Sequence, residues 1–152
     1  MATEPREVWG DLAASAFVGA SVLFRSLADP EREDLLKLAT IQTFAPGEVV
    51  VRGNDPSEDF LLVRDGVADV LLERDGHATQ ASALERGGCF GEAAVLGEGE
   101  HAATVVSRTE LTVIRVPVPM VAALAERNGR LRKLLEALRD ARLKERGARR
   151  AS

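Results

Sequence analysis

Gly87-Gly88-Cys89-Phe90-Gly91-Glu92-Ala93-Ala94-Val95-Leu96, followed by Gly97-Glu98-Gly99-Glu100-His101-Ala102-Ala103-Thr104-Val105, is the stretch whose reading decides the fold. The Gly-Gly pair and Gly91 let a backbone approach a ligand with no Cβ in the way. The short apolar segment after Gly91 predicts a single helical turn, whose N–H groups would point at an anion. Glu92 is a lone carboxylate among apolar neighbours, suited to accept hydrogen bonds from sugar hydroxyls. Gly-rich turns are common, so these features alone leave the reading open.

Upstream of this stretch, from Ile41 on, short runs of Val, Leu and Phe are punctuated by Gly47, Gly53, Gly66 and Gly76. Strands are expected near 40–44, 48–52, 59–64, 67–74, 79–84, 102–107 and 110–116. Val67, Asp69 and Leu71 alternate with Ala68, Val70 and Leu72, a period of two. Many short strands with turns between them predict a jelly-roll or barrel rather than a parallel sheet. His77 falls at a hairpin tip and reads as a solvated turn residue.

Both ends of the chain read helical. Val8, Trp9, Leu12, Ala13 and Ala16 form one apolar stripe. A second helix starts at Asp29-Pro30-Glu31, with Asp29 as N-cap, and buries Leu35, Leu36 and Leu38. After Pro117 a helix runs to about Arg127, Asn128-Gly129 interrupts it, and a longer helix follows from Arg130. There Leu131, Leu134, Leu135, Leu138 and Ala141 share one face. The expected division is a helical segment over 1–19, a β-roll with its last helix over 20–146, and a basic tail over 147–152.

Composition narrows the functional classes. The single Cys89 excludes an internal disulfide framework and a multi-cysteine metal knot. It reads as a small buried hydrophobe, with a redox sensor as the other option. The longest apolar stretch, Leu12 to Phe24, is 13 residues and is broken by Ser15, Gly19 and Ser21. That is short of the roughly 20 residues a membrane span needs, so a cytoplasmic location is expected. His77 and His101 lack metal-ligand spacing, and no nucleophile stands near a base, so neither a metal nor catalysis is expected. The net charge of −4 is uneven: residues 128–152 carry nine basic and three acidic side chains. That end suits a partner or, equally, a solvated helix terminus.

The decisive stretch resembles the cyclic-nucleotide-binding domains of bacterial catabolite-activator-type regulators, protein kinase A regulatory subunits and gated channels. Phe90-Gly91-Glu92-Ala93 is similar to the opening of that family's phosphate-binding cassette, and His101-Ala102-Ala103-Thr104-Val105 to its close. Phe44-Ala45-Pro46-Gly47-Glu48, Gly53, Phe60, Val63 and Gly66 follow the spacing of its first strands, and Leu23-Phe24-Arg25-Ser26-Leu27 its entry segment. The resemblance covers roughly residues 20 to 140. It implies a mainly β fold, an eight-stranded β-roll with N-terminal helices and two C-terminal helices, the last acting as a lid. It implies that Glu92 binds a ribose 2′-hydroxyl and that the amides of Gly91, Ala93, Ala102 and Ala103 hold a cyclic phosphate. Ala102 stands where cGMP-preferring members often have Thr, which favours cAMP.

One departure bears on affinity. The family's phosphate-pairing arginine is His101 here. Losing a charge-assisted bond of roughly 1.5–3 kcal/mol weakens binding about ten- to hundredfold. A histidine replaces part of it only as the imidazolium, with an ordinary pKa of about 6.5. His101 is thus a working phosphate contact, a relict, or a contact to another ligand. Two functions follow from the resemblance. One is a stand-alone sensor of a cyclic nucleotide or related phosphorylated ligand, closed by the Leu131–Leu138 helix. The other is a degenerate domain serving as a protein-interaction or dimerisation module through that helix. The chain ends at Ser152 soon after it, so no sequence-specific DNA-reading helix is expected, only non-specific phosphate contacts from Arg139, Arg142, Lys144, Arg146, Arg149 and Arg150.

Overall fold

Between Phe60 and Val63 the chain has no polar side, which is the signature of a strand covered on both faces. The computed structural model, which describes residues 2–53, 58–74, 76–98 and 103–151, covers both. In chain order the elements are β1 (Arg6–Glu7), α1 (Leu12–Ala20), α2 (Asp29–Leu38), β2 (Thr40–Phe44), β3 (Val49–Val51), β4 (Asp59–Asp65) and β5 (Ala68–Arg74). Then come β6 (His77–Leu84), β7 (Cys89–Phe90), α3 (Glu92–Val95), β8 (Ala103–Ser107), β9 (Leu111–Pro117), α4 (Val118–Arg127) and α5 (Gly129–Ala151).

Two antiparallel sheets result, ordered β1-β2-β9-β4-β7 and β3-β8-β5-β6. The strands β2 to β9 make the expected roll among the described residues, and the two-residue β1 is an addition to it, paired with Thr40 and Ile41. Period-two alternation divides the apolar side chains between two cores. Phe44, Leu61, Val63, Leu111 and Val113 fill the roll with Ala68, Val70 and Val105. Ile41, Phe60, Leu62, Ile114 and Val116 face the helices, where Phe24, Leu35, Val121, Leu131 and Leu135 meet them. Phe24 and Phe60 pack edge to face with centroids 6.1 Å apart. Each such fully buried side chain contributes roughly 1.5–3 kcal/mol of transfer free energy.

Ser107, buried at the end of β8, fastens the first turn of the roll. Its hydroxyl donates to the Ala45 carbonyl at 2.5 Å and accepts from the Glu48 N–H at 3.0 Å.

The N-terminal elements differ from the sequence reading. Val8, Trp9 and Leu12 do not share a buried stripe: Val8 is buried, Trp9 is exposed and Leu12 is 85% exposed. The cause is Asp11, whose carboxylate accepts from the Ala14 N–H at 3.0 Å and so starts the helix at Leu12. Ala14 and Val18 then form its buried face. The second helix begins one residue away from expectation. Its N-cap is Ala28, whose N–H donates to the Glu31 carboxylate at 3.1 Å, while Asp29 lies inside the first turn and pairs with Arg32. Leu35 and Leu36 are buried as expected, but Leu38 at the C-terminal end is half exposed.

Candidate cyclic-nucleotide cassette

The chain enters the cassette through a turn that belongs to the sheet. Gly87 N–H donates to the Val63 carbonyl at 2.9 Å, and Val63 N–H donates to Gly88 at 2.8 Å. The Gly-Gly pair therefore serves a turn against β4. Phe90 and Cys89 then pair with Leu61 and Leu62. Gly91 has φ +113°, and a Cβ there would sit 3.2 Å from Phe60 Cα and 3.3 Å from the Asp59 carbonyl oxygen. Only glycine meets both demands, a positive φ and close passage over β4. That reversal starts α3, whose single turn is closed by Leu96 N–H donating to the Glu92 carbonyl at 3.0 Å.

Glu92 opens this turn and is 4% exposed. A buried carboxylate requires compensation, and it receives it from two sides. The Gly91 N–H donates to Oε2 at 3.1 Å. Arg142 Nε, on α5, lies 2.7 Å from Oε1, a contact ion pair whose N–H is not aligned for a hydrogen bond. The same guanidinium donates from its terminal nitrogen to the Cys89 carbonyl and lies 5.3 Å over the Phe90 ring. Arg139, one turn earlier, pairs with Glu98 just beyond α3 and with Asp140 at 3.0 Å.

The leucines expected to line a lid helix lie on the buried side of α5. Leu131 and Leu135 are fully buried, and Leu134 and Leu138 pack against the helix-side core. Asn128 starts the helix, its side-chain oxygen accepting from the Leu131 N–H at 3.0 Å. The helix is continuous to Ala151, so the residues set apart as a tail, 147–151, extend it. Cys89 lies beneath the cassette, where burial pushes its thiol up to about 12. A thiol so protonated is a poor nucleophile and fits the buried-hydrophobe reading.

The structure thus brings Phe90, Gly91, Glu92 and Ala93 together at the head of α3. Ala103 is buried at the start of β8, where it pairs with Leu72. His101 and Ala102 lie outside the described residues. Arg142 was legible only as one of several basic residues. The available signal was its place in the series Leu131, Leu135, Leu138, Arg142, where a cation continues an apolar stripe. Among the described residues no cluster of three or more potential metal ligands occurs, and no helix is long and apolar enough to cross a membrane.

The β-roll thus carries a glycine-opened turn with a buried acid at its head. Residues 41–128 match the family described as cyclic nucleotide-binding domain, and the chain belongs to it. It is 31% identical over 124 residues to a cAMP-dependent protein kinase regulatory subunit of Blastocladiella emersonii, covering 80% of this chain and 31% of that protein. This chain therefore spans about a third of that relative's length. Among solved structures, the sensor domain of the transcriptional regulator DNR from Pseudomonas aeruginosa superposes with a TM-score of 0.74 at 19% identity, covering 89% of this chain and 91% of that one. The regulatory subunit of a cAMP-independent protein kinase A from Trypanosoma brucei gives 0.72 at 19% identity, covering 81% and 44%.

Proposed function

We propose that this protein is a non-catalytic, stand-alone sensor that takes a cyclic nucleotide, cAMP in preference to cGMP, at the α3 turn. The observation that carries this reading is the buried Glu92 carboxylate, set at the head of the turn by Gly91 and sharing its site with that turn's own N–H. A carboxylate placed there accepts a ribose hydroxyl once its present partner moves. Membership of the family and the kinase regulatory-subunit relative support the ligand class. Affinity is weak, because His101 stands where the family's phosphate-pairing arginine is expected. Signalling proceeds by a population shift, with ligand favouring one arrangement of α5 over another. Its partners are then a cytoplasmic protein or a second copy, met through the α5 surface.

One observation favours the second reading, a module that has given up its ligand: Glu92 is already neutralised from within by Arg142. Titration calorimetry with cAMP, cGMP and cyclic dinucleotides decides between them, with adenosine as the phosphate-free reference. Saturable heat with cAMP at micromolar to millimolar concentration supports the sensor. Absence of both heat and thermal shift with every cyclic nucleotide at millimolar concentration overturns it in favour of the interaction module.

A further inference from the structure

We propose that the outer face of α1 is a self-association surface, on which two copies of this chain meet with their α1 helices antiparallel. The proposal is independent of what the cassette binds.

Its basis is a helix without a polar side. The residues of α1 are Leu-Ala-Ala-Ser-Ala-Phe-Val-Gly-Ala, none of them charged. With about 3.6 residues per turn, Ala14 and Val18 point into the core while Leu12, Ala13, Ala16 and Ala20 share the opposite side. All four are exposed, Leu12 to 85%. A surface helix ordinarily turns charged or polar residues to water, and one that is apolar on both faces is covered on both. Apolar exposure continues past each end of the helix, at Trp9 before it (45%) and Val22 after it (56%). A surface of this kind marks an interaction site.

Two properties select a second copy as the occupant. The first is shape. The bulky Trp9 and Leu12 stand at the start of the face, and alanines at 13, 16 and 20 leave its middle and end low. A two-fold axis near Ala16 seats Leu12 of each copy over Ala20 of the other, and the small side chains let the two helices approach closely. The second is charge. Glu4 and Glu7 precede α1 and Arg25 follows it; all three are exposed and have no ion-pair partner among the described residues. Antiparallel helices bring the acidic start of one copy to Arg25 of the other, whereas parallel helices would set like charges together. A nine-residue helix is about 13 Å long, so the contact belongs to the small, reversible class of interfaces.

The test is sedimentation equilibrium of the full chain from micromolar to millimolar concentration, where a monomer–dimer equilibrium is expected. Ala16→Glu changes only an exposed helical position, so the fold, followed by circular dichroism, should persist while dimerisation weakens at least tenfold. Arg25→Glu should weaken it about two- to fivefold. Ala16→Cys should cross-link to its own counterpart on mild oxidation, with the buried Cys89 not competing. A wild-type protein that stays monomeric at millimolar concentration overturns the proposal, and flotation of that monomer with phosphatidylcholine vesicles would make the face a lipid contact instead. A dimer that Ala16→Glu leaves unchanged also overturns it and puts the contact on another surface. A dimer in which Ala16→Cys fails to cross-link, or which Arg25→Glu does not weaken, overturns the antiparallel arrangement.

Discussion

Glu92 and Arg142 form an ion pair between the α3 turn and α5, the acid 4% exposed and the base with 20% of its side chain exposed, Nε to Oε1 2.7 Å. The partial exposure of Arg142 screens the pair, so it falls well below the cost of breaking a fully buried one. Replacing Glu92 by Gln keeps the shape and an acceptor for the Gly91 N–H but leaves the guanidinium without its counter-charge. The expected loss is about 1–2 kcal/mol, read as a lower urea midpoint with an unchanged slope. A loss below about 0.5 kcal/mol would assign the pair no net stabilising role.

The Cys89 thiol provides a pH signature of the folded state. Burial raises it from the ordinary 9.0 to about 12, with Arg142 opposing and Glu92 adding to the rise. The native protein keeps the proton where the unfolded chain has released it. This contribution is intact below pH 9.0 and is lost as the pH climbs from there towards 12. Stability measured across that window should decline, by at most about 1.4 kcal/mol per pH unit from this group, and Cys89→Ala should flatten that part of the decline. At pH 8, a disulfide thiol reagent should modify the native protein only at the rate of its opening.

Gly66 is fixed by its neighbours as well as by its backbone. Its φ is +93°, and a Cβ there would lie 2.1 Å from the carbonyl oxygen of Glu110. Strand β9 begins next to that carbonyl, at Leu111, so the clash is with backbone that cannot step aside cheaply. Gly66→Ala should destabilise the domain by about 2–4 kcal/mol in chemical denaturation. A cost under about 1 kcal/mol would show that the turn relaxes.

His101→Arg tests the proposed cyclic-nucleotide reading at the position where the resemblance expects an arginine. On that reading, cAMP binding should tighten by about tenfold or more in calorimetry. No gain in affinity would mean that the pocket is closed to the phosphate.

The β-roll was legible because its signals are local. Phe60 to Val63 and Leu111 to Val116 carry their strand period and their burial in consecutive residues, and the structure places strands there within a residue or two of expectation. The leucine face of α5 was legible for the same reason. The first helix misled because Val8, Trp9 and Leu12 have helical spacing but a single capping carboxylate, Asp11, decides where the helix begins. β7 was missed because two residues carry no period at all; Cys89 and Phe90 are a strand only because β4 lies beside them.

By itself, then, the amino-acid order settled the roll, the cassette turn after Gly91 and the apolar stripe of the last helix, since each depends on residues near one another along the chain. What the tertiary structure alone decided is which charges meet. Arg142 could have faced solvent or a ligand on its own helix's evidence. It pairs with Glu92 because packing of Leu131, Leu135 and Leu138 fixes the rotation and depth of α5, and that in turn carries the guanidinium to the buried acid. Coulombic partners are chosen by distance through the folded molecule, a quantity that spacing along the sequence does not contain.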